Sequence, residues 1–133
     1  MRSRFGVVLT LALSVGIGGL LAGAAGSALA EGDPANGEKI FRKCQQCHSV
    51  TRGETKIGPS LAGIYGRQPG SVPDFGYSQD MVDFGVAGNY WNAETLNAFL
   101  TRPRGLIAKT KMAFPGLRRE SDREDLIAYI SQF

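Results

Sequence analysis

The chain has 133 residues, enough for one domain, with 15 basic and 12 acidic residues and a formal net charge of +3. That surplus is too small for a nucleic-acid binder, which concentrates Lys and Arg into a stripe. What basic charge there is gathers unevenly, with Lys39, Arg42, Lys43 and Lys56 around one segment and Arg102, Arg104, Lys109 and Lys111 around another.

The chain opens on Met1-Arg2-Ser3-Arg4 and then runs apolar or small from Phe5 to Ala30, ending in Ala28-Leu29-Ala30. A basic start, an apolar stretch and an A-x-A end form the pattern of a secretory leader. Residues 1–30 are therefore expected to be a signal peptide and 31–133 the working domain. The competing expectation is an uncleaved N-terminal membrane anchor, since about 20 apolar residues span a bilayer. No linker separates the apolar stretch from the polar sequence that begins at Glu31. Removing Arg2 and Arg4 with the leader leaves 13 basic and 12 acidic residues, close to neutral.

Four helices are expected in the domain. Asp33 is a good N-cap and Pro34 suits the first helical position, so a first helix carries Gly37, Ile40 and Phe41 into the cysteines. A short second helix is expected at about Ser78 to Phe84. A third follows Trp91, capped by Asn92, with Leu96, Phe99 and Leu100 at i, i+3, i+4 spacing, and Pro103 ends it. Ser121 and Glu124 form a capping-box pattern for the fourth, whose apolar face is Leu126, Ile127, Ile130 and Phe133. Between the first and third helices lie Gly53, Gly58, Gly63, Gly66, Gly70 and Gly76, and no stretch alternates as a strand. The expected fold is thus all-α, with long glycine-rich loops. Such loops need something to organise them, and about 100 residues of this kind bury a thin core.

The chain's two cysteines and its one histidine fall within five positions, Cys44-Gln45-Gln46-Cys47-His48. Three chemistries compete for this cluster. A thiol–disulfide centre belongs beside a βαβ pattern, which is missing from the sequence. Structural zinc takes four Cys or His ligands, and three are present. The third, C-x-x-C-H, is the attachment pattern for covalent haem. Each thiol adds to one vinyl group, and cysteines at i and i+3 on a helical turn reach the same macrocycle edge. The next residue, His48, is then carried under the ring. A flat apolar group would also supply the missing interior, with glycines where backbone packs close to it.

A stable electron carrier needs a second axial ligand, and Met/His ligation raises the potential. Met81 and Met112 are the candidates of the domain. Met81 sits among apolar residues of the short helix, where methionine commonly fills core space. Met112 sits in the loop Ala108-Lys109-Thr110-Lys111-Met112-Ala113-Phe114-Pro115-Gly116, which can curl over the face opposite His48. The sequence favours Met112 and leaves Met81 open.

With "GEKIFRKCQQCHSV", "KIGPSLAGIYGR", "TKMAFPG" and "DREDLIAYI" in hand, the chain resembles a class I cytochrome c of the mitochondrial and photosynthetic-bacterial type over essentially all of 32–133. The resemblance implies the small class I cytochrome c fold around one covalently bound haem c, attached at Cys44 and Cys47. It implies His48 as proximal and Met112 as distal metal ligand. The Pro59 carbonyl would accept a hydrogen bond from His48, fixing the ring, and Arg67, Tyr77 and Trp91 would hold a haem propionate. Gly37 and Phe41 would meet Leu126 and Tyr129 where the first and last helices cross. Thr110 and Phe114 would shield the iron. Three positions depart from the common pattern. Phe99 stands where many relatives have a tyrosine, Ala108-Lys109 replaces a Pro-Gly pair, and Met81 falls near a usual asparagine. Lys109 and Lys111 are amines in the ligand loop, and one or the other is expected to displace Met112 at high pH.

The function so implied is an exported one-electron shuttle and not an enzyme, since both axial positions are filled. It would be a periplasmic monomer that touches membranes only through partners. Arg42, Lys43, Lys56, Arg104, Lys109 and Lys111 would ring the haem edge and steer docking to acidic partners. The resemblance suggests a quinol–cytochrome c oxidoreductase as donor and a terminal oxidase or photosynthetic reaction centre as acceptor. The rival classes are a haem enzyme or gas-binding protein with Met112 unbound, and a haem-free thiol–disulfide oxidoreductase.

Overall fold

Residues 32–133 are described by a computed structural model. The expected leader, 1–30, with its Ala28-Leu29-Ala30 end, lies outside the described residues. Among these there are five helices and no strand. Four are the helices the sequence announces, and local capping explains most of their starts.

Helix α1 spans Pro34–Phe41, with Asp33 accepting the Ala35 amide at 2.9 Å and Pro34 in the first turn. Helix α2, Gln79–Val86, starts at Ser78, whose hydroxyl accepts the Met81 amide, and runs two residues past the expected end. Helix α3, Ala93–Thr101, is capped by Asn92 in a reciprocal box: Asn92 Oδ1 accepts the Thr95 amide and Thr95 Oγ1 accepts the Asn92 amide, both at 2.9 Å. Pro103 ends α3 as expected. It also begins a four-residue helix, α4, Pro103–Leu106. Fixed φ and a missing N–H suit proline to a first helical position as well as to a stop.

Helix α5, Glu120–Ile130, departs from the expected start. The Ser121–Glu124 box does not form: the helix begins one residue earlier, with Arg119 flanking it and no side-chain cap. Arg119 instead pairs with Asp122 at 2.7 Å, and Glu120 and Asp122 suit the positive end of the helix dipole. Phe133 is not on the helical apolar face. It lies beyond the end of α5, 43% exposed, with its ring edge-on to Tyr129 at 5.1 Å.

Helices α1 and α5 pack most closely, and Gly37 permits it. A Cβ on Gly37 would lie 2.7 Å from both the Asp125 carbonyl carbon and Tyr129 Cβ. Phe41 and Tyr129 rings meet at 5.4 Å beside the crossing, and Leu126 is among the most deeply buried side chains. Asp125 locks the start of α1 in place, accepting the Asp33 amide at 2.7 Å and the Asn36 side-chain amide at 2.6 Å. Arg123 is buried and donates to Asn97 Oδ1 at 2.6 Å and to the Leu117 and Arg118 carbonyls at 2.8 and 3.1 Å. It ties α5 to α3 and to the segment leaving Met112. No described helix is long and apolar enough to cross a membrane.

Candidate functional site

The helices and loops enclose a cavity of about 370 Å³ where a core of this size would otherwise be filled. Its walls are mostly apolar: Leu96, Phe99 and Leu100 from α3, Met81 from α2, and Leu126 and Ile130 from α5. Into this space the structure brings Cys44, Cys47, His48, Arg67, Tyr77, Trp91 and Met112, all seven of the residues singled out from sequence. The thin core expected of the chain is therefore a core built around this cavity.

The cysteines sit in a turn that continues α1. Cys44 N donates to the Phe41 carbonyl at 2.7 Å, and both Cys47 N and His48 N donate to the Cys44 carbonyl, at 3.0 and 2.8 Å. This winding brings Cys44, Cys47 and His48 together to the cavity lining. No disulfide joins the two cysteines. As an unattached thiol, Cys44 is pushed up to about 11 by burial, against the pull of Lys43.

His48 Nδ1 lies 2.8 Å from the Pro59 carbonyl. A carbonyl only accepts, so Nδ1 carries the proton and Nε2 keeps its lone pair. Burial holds the imidazole pKa below its ordinary value, the Pro59 bond opposes this and the Arg67 cation adds to it. The ring is thus neutral and fixed in rotation. Gly58 makes room for it: a Cβ there would lie 2.7 Å from His48 Nδ1 and closer still to Cε1. The loop is held by Gly58 N donating to the Cys47 carbonyl at 2.7 Å and Leu61 N to the Ser49 carbonyl at 2.8 Å.

Arg67 is half-buried and donates to the Ser60 carbonyl at 2.9 Å and the Ala62 carbonyl at 3.1 Å. Burial lowers its pKa, and Tyr77 acts against that. The Tyr77 hydroxyl is raised by burial, with the Arg67 cation opposing. Trp91 is buried and its backbone bridges to the same segment, donating to the Arg67 carbonyl at 2.9 Å and accepting from Gly66 N at 2.7 Å. Sequence separates these three by up to 24 positions, and the fold makes them one wall.

Met112 reaches the cavity from the loop after α4. Ile107 and Thr110 are buried on either side of the exposed Ala108 and Lys109. The loop turns on Thr110 N donating to the Ile107 carbonyl at 3.1 Å, and Thr110 Oγ1 accepts the Met112 amide at 3.3 Å. Its far leg returns to α3 through Leu117 N and the Leu100 carbonyl, 2.7 Å apart. Phe114 lines the cavity beside Met112. Met81 is buried and packs in the hydrophobic core, as the filler reading expects, but its side chain also faces the cavity.

Of the six basic residues expected around the edge, Lys43 and Lys111 line the cavity. Arg42 and Lys56 line a neighbouring polar cleft on the other side of His48. Arg104 and Lys109 are exposed and line neither. Ile57, 80% exposed, is an apolar residue at the cavity rim. Sequence reasoning did not single out Asp80, whose carboxylate accepts the Lys109 amide at 3.1 Å, nor Asp125 and Arg123. Their partners are 29, 92 and 26 residues away, and no local pattern marks such pairs.

Among the described residues no cluster of three or more His, Cys, Asp or Glu forms a cage for a bare metal ion. The donor set fits a flat, mostly apolar prosthetic group instead: two thiols, an imidazole, a thioether, a guanidinium, a phenol and an indole line one mostly apolar cavity. An all-α fold wrapped around such a cavity is that of a class I c-type cytochrome. A profile of the family described as "Cytochrome c" matches residues 34–133. The chain is 42% identical over 129 residues to "Cytochrome c-554" of Methylosinus trichosporium, covering 95% of this chain and 91% of that protein. It is 46% identical over 103 residues to "Cytochrome c type-1" of Ascaris suum, covering 77% and 89%, and 40% identical over 100 residues to "Cytochrome c2" of Afifella marina, covering 74% and 81%. The chain belongs to the cytochrome c family. It is a monohaem electron carrier with one covalently bound haem c.

Proposed function

We propose that Cys44 and Cys47 would hold the haem through two thioethers, that His48 Nε2 and the Met112 sulfur would ligate its iron, and that Arg67, Tyr77 and Trp91 would hold a propionate. One observation carries this reading: two cysteine sulfurs not joined by a disulfide, a neutral imidazole with Nδ1 committed to the Pro59 carbonyl, and a loop-borne thioether line one apolar cavity. When bound, the haem supplies a single iron that gains or loses one electron.

The chain's own residues then have distinct tasks. Pro59 orients the imidazole and makes it a stronger donor. Phe99, Leu100 and Phe114 exclude water, which keeps the local dielectric low. Arg67 offers a charge partner, without which a buried carboxylate is costly. With His48 and Met112 both committed to the iron, no coordination site would be left for a substrate, which supports a carrier over an enzyme.

The carrier is exported, periplasmic and monomeric. The basic start and apolar stretch of 1–30 support export. Lys43 and Lys111 at the cavity rim support docking to acidic surfaces of membrane redox complexes, with a quinol–cytochrome c oxidoreductase as donor and a terminal oxidase or photosynthetic reaction centre as acceptor. Mass spectrometry of the purified protein tests the covalent bond and the leader together: a mass of the chain from Glu31 plus one haem is expected, and a haem-free mass overturns the reading. Cyanide and carbon monoxide test the axial pair. Slow, weak binding is expected, and fast, tight binding by the native protein shows an open site.

A further inference from the structure

The loop that carries Met112 is anchored at its ends and thinly held at its crown. Ile107, 2% exposed, and Leu117, 5% exposed, fix the two legs in the core. Between them Ala108, Lys109, Lys111 and Ala113 are exposed. From Leu106 to Met112 there is neither proline nor glycine, so no residue of special backbone preference dictates the shape of the crown. The Thr110–Ile107 and Met112–Thr110 bonds lie within the loop and tie it to nothing else.

Among the described residues, two bonds join this crown to the opposite wall. Lys111 Nζ donates to the Gly76 carbonyl at 2.5 Å. The Lys109 amide donates to Asp80 Oδ2 at 3.1 Å, across 29 residues. The first depends on a long side chain with four rotatable bonds. The second is a main-chain bond to a short carboxylate on the first turn of α2, and it fixes the backbone itself three residues from the methionine.

Helix α2 is a firm post for this bond. Met81, next to Asp80, is buried in the core. Gly85, one turn on, packs against the Pro69 backbone, where a Cβ would lie 3.0 Å from the carbonyl carbon. Ser78 caps the helix. Side chains on rigid elements position a site better than side chains on loops.

We propose that Asp80 is a positioning residue for Met112: its carboxylate clips the crown of the methionine loop to α2 and limits how readily the thioether leaves the cavity. The proposal rests on the reading of Met112 as axial ligand. The competing role for Asp80 is a favourable charge at the start of α2, which would stabilise the helix without touching the loop. The two roles separate cleanly. An amide oxygen still accepts from Lys109, so Asp80→Asn keeps the clip and loses the charge, whereas Asp80→Ala loses both.

The test uses the ferric holoprotein, wild type and both variants. Imidazole, which competes for the distal position only when the loop opens, is titrated spectroscopically. Hydrogen exchange of the Lys109 amide and urea unfolding are measured alongside. An exposed hydrogen bond of this kind is worth about three- to tenfold in the opening equilibrium. Asp80→Ala is therefore expected to bind imidazole about three- to tenfold more tightly and to exchange the Lys109 proton faster by a similar factor. Asp80→Asn should stay within about twofold of wild type in both, on the same scale. An unprotected Lys109 amide in the wild type overturns the proposal. So does an imidazole affinity unchanged in Asp80→Ala, or an Asp80→Asn variant that matches Asp80→Ala. If Asp80→Ala does not fold, wild-type Lys109 protection together with Asp80→Asn decides. A wild-type ferric spectrum without the weak far-red band of a thioether–iron bond defeats the Met112 reading instead, and Lys109 exchange still tests the clip.

Discussion

Replacing Gly37 by alanine tests whether the α1–α5 crossing sets the stability of the molecule. The new methyl would sit 2.7 Å from the Asp125 carbonyl carbon and from Tyr129 Cβ, against an ordinary contact of 3.4 Å or more. The helices must therefore separate by at least the 0.7 Å difference between those distances. The obstacles are α5 backbone and the root of a side chain, which cannot swing away. Overpacking of this kind costs about 1–3 kcal/mol, and with rigid neighbours the upper end applies, about 3 kcal/mol. Alanine returns about 1 kcal/mol through its better helix propensity. The net loss is about 2 kcal/mol, or about 8–16 °C in Tm for a domain of this size. Urea unfolding of the holoprotein, followed by the fluorescence of the single tryptophan, Trp91, measures it. Gly105→Ala is the control, because a Cβ there meets only the flexible Arg102 side chain at 3.2 Å and beyond. A Gly37→Ala loss below about 0.5 kcal/mol, the usual scatter of surface substitutions, would refute the steric argument.

Four further outcomes are expected. Gly58→Ala should tilt the His48 ring off the Pro59 carbonyl, since the added Cβ would fall 2.7 Å from Nδ1; a changed ferric spectrum and a lower yield of holoprotein check this. Arg67→Leu should lower the reduction potential, because removing a half-buried cation favours the more positive, oxidised state, and potentiometry on the two proteins reads the sign directly. Electron-transfer rates with the physiological partner should fall as ionic strength rises, and a flat salt profile would count against docking through Lys43 and Lys111. The double variant Lys109→Ala, Lys111→Ala should change the high-pH spectral form of the ferric protein; an unaltered transition rules out both amines as replacements for Met112.

The sequence by itself carried the chemistry, because the attachment pattern is local. Cys44, Cys47 and His48 lie within five positions, and one helical turn suffices to aim them together. Asp33 and Asn92 were equally legible as helix caps, since each bonds an amide two or three residues away, while Ser78 was legible only as an approximate start. Ser121 shows the limit of such signals: the pattern for a box was present, but the helix began at Glu120 and left it unused. Pro103 was legible as a stop but not as the start of α4, because the same fixed φ serves both. What only the tertiary structure decided is which distant groups meet. It set Asp125 on the amide of Asp33, tied Arg123 to Asn97 and brought Asp80 to Lys109, whereas the meeting of Arg67, Tyr77 and Trp91 was already implied by the resemblance. These pairs depend on how α1 crosses α5 and how the loops close around the cavity. No period or spacing along the chain encodes that closure, because it follows from packing between segments whose separation in sequence is arbitrary.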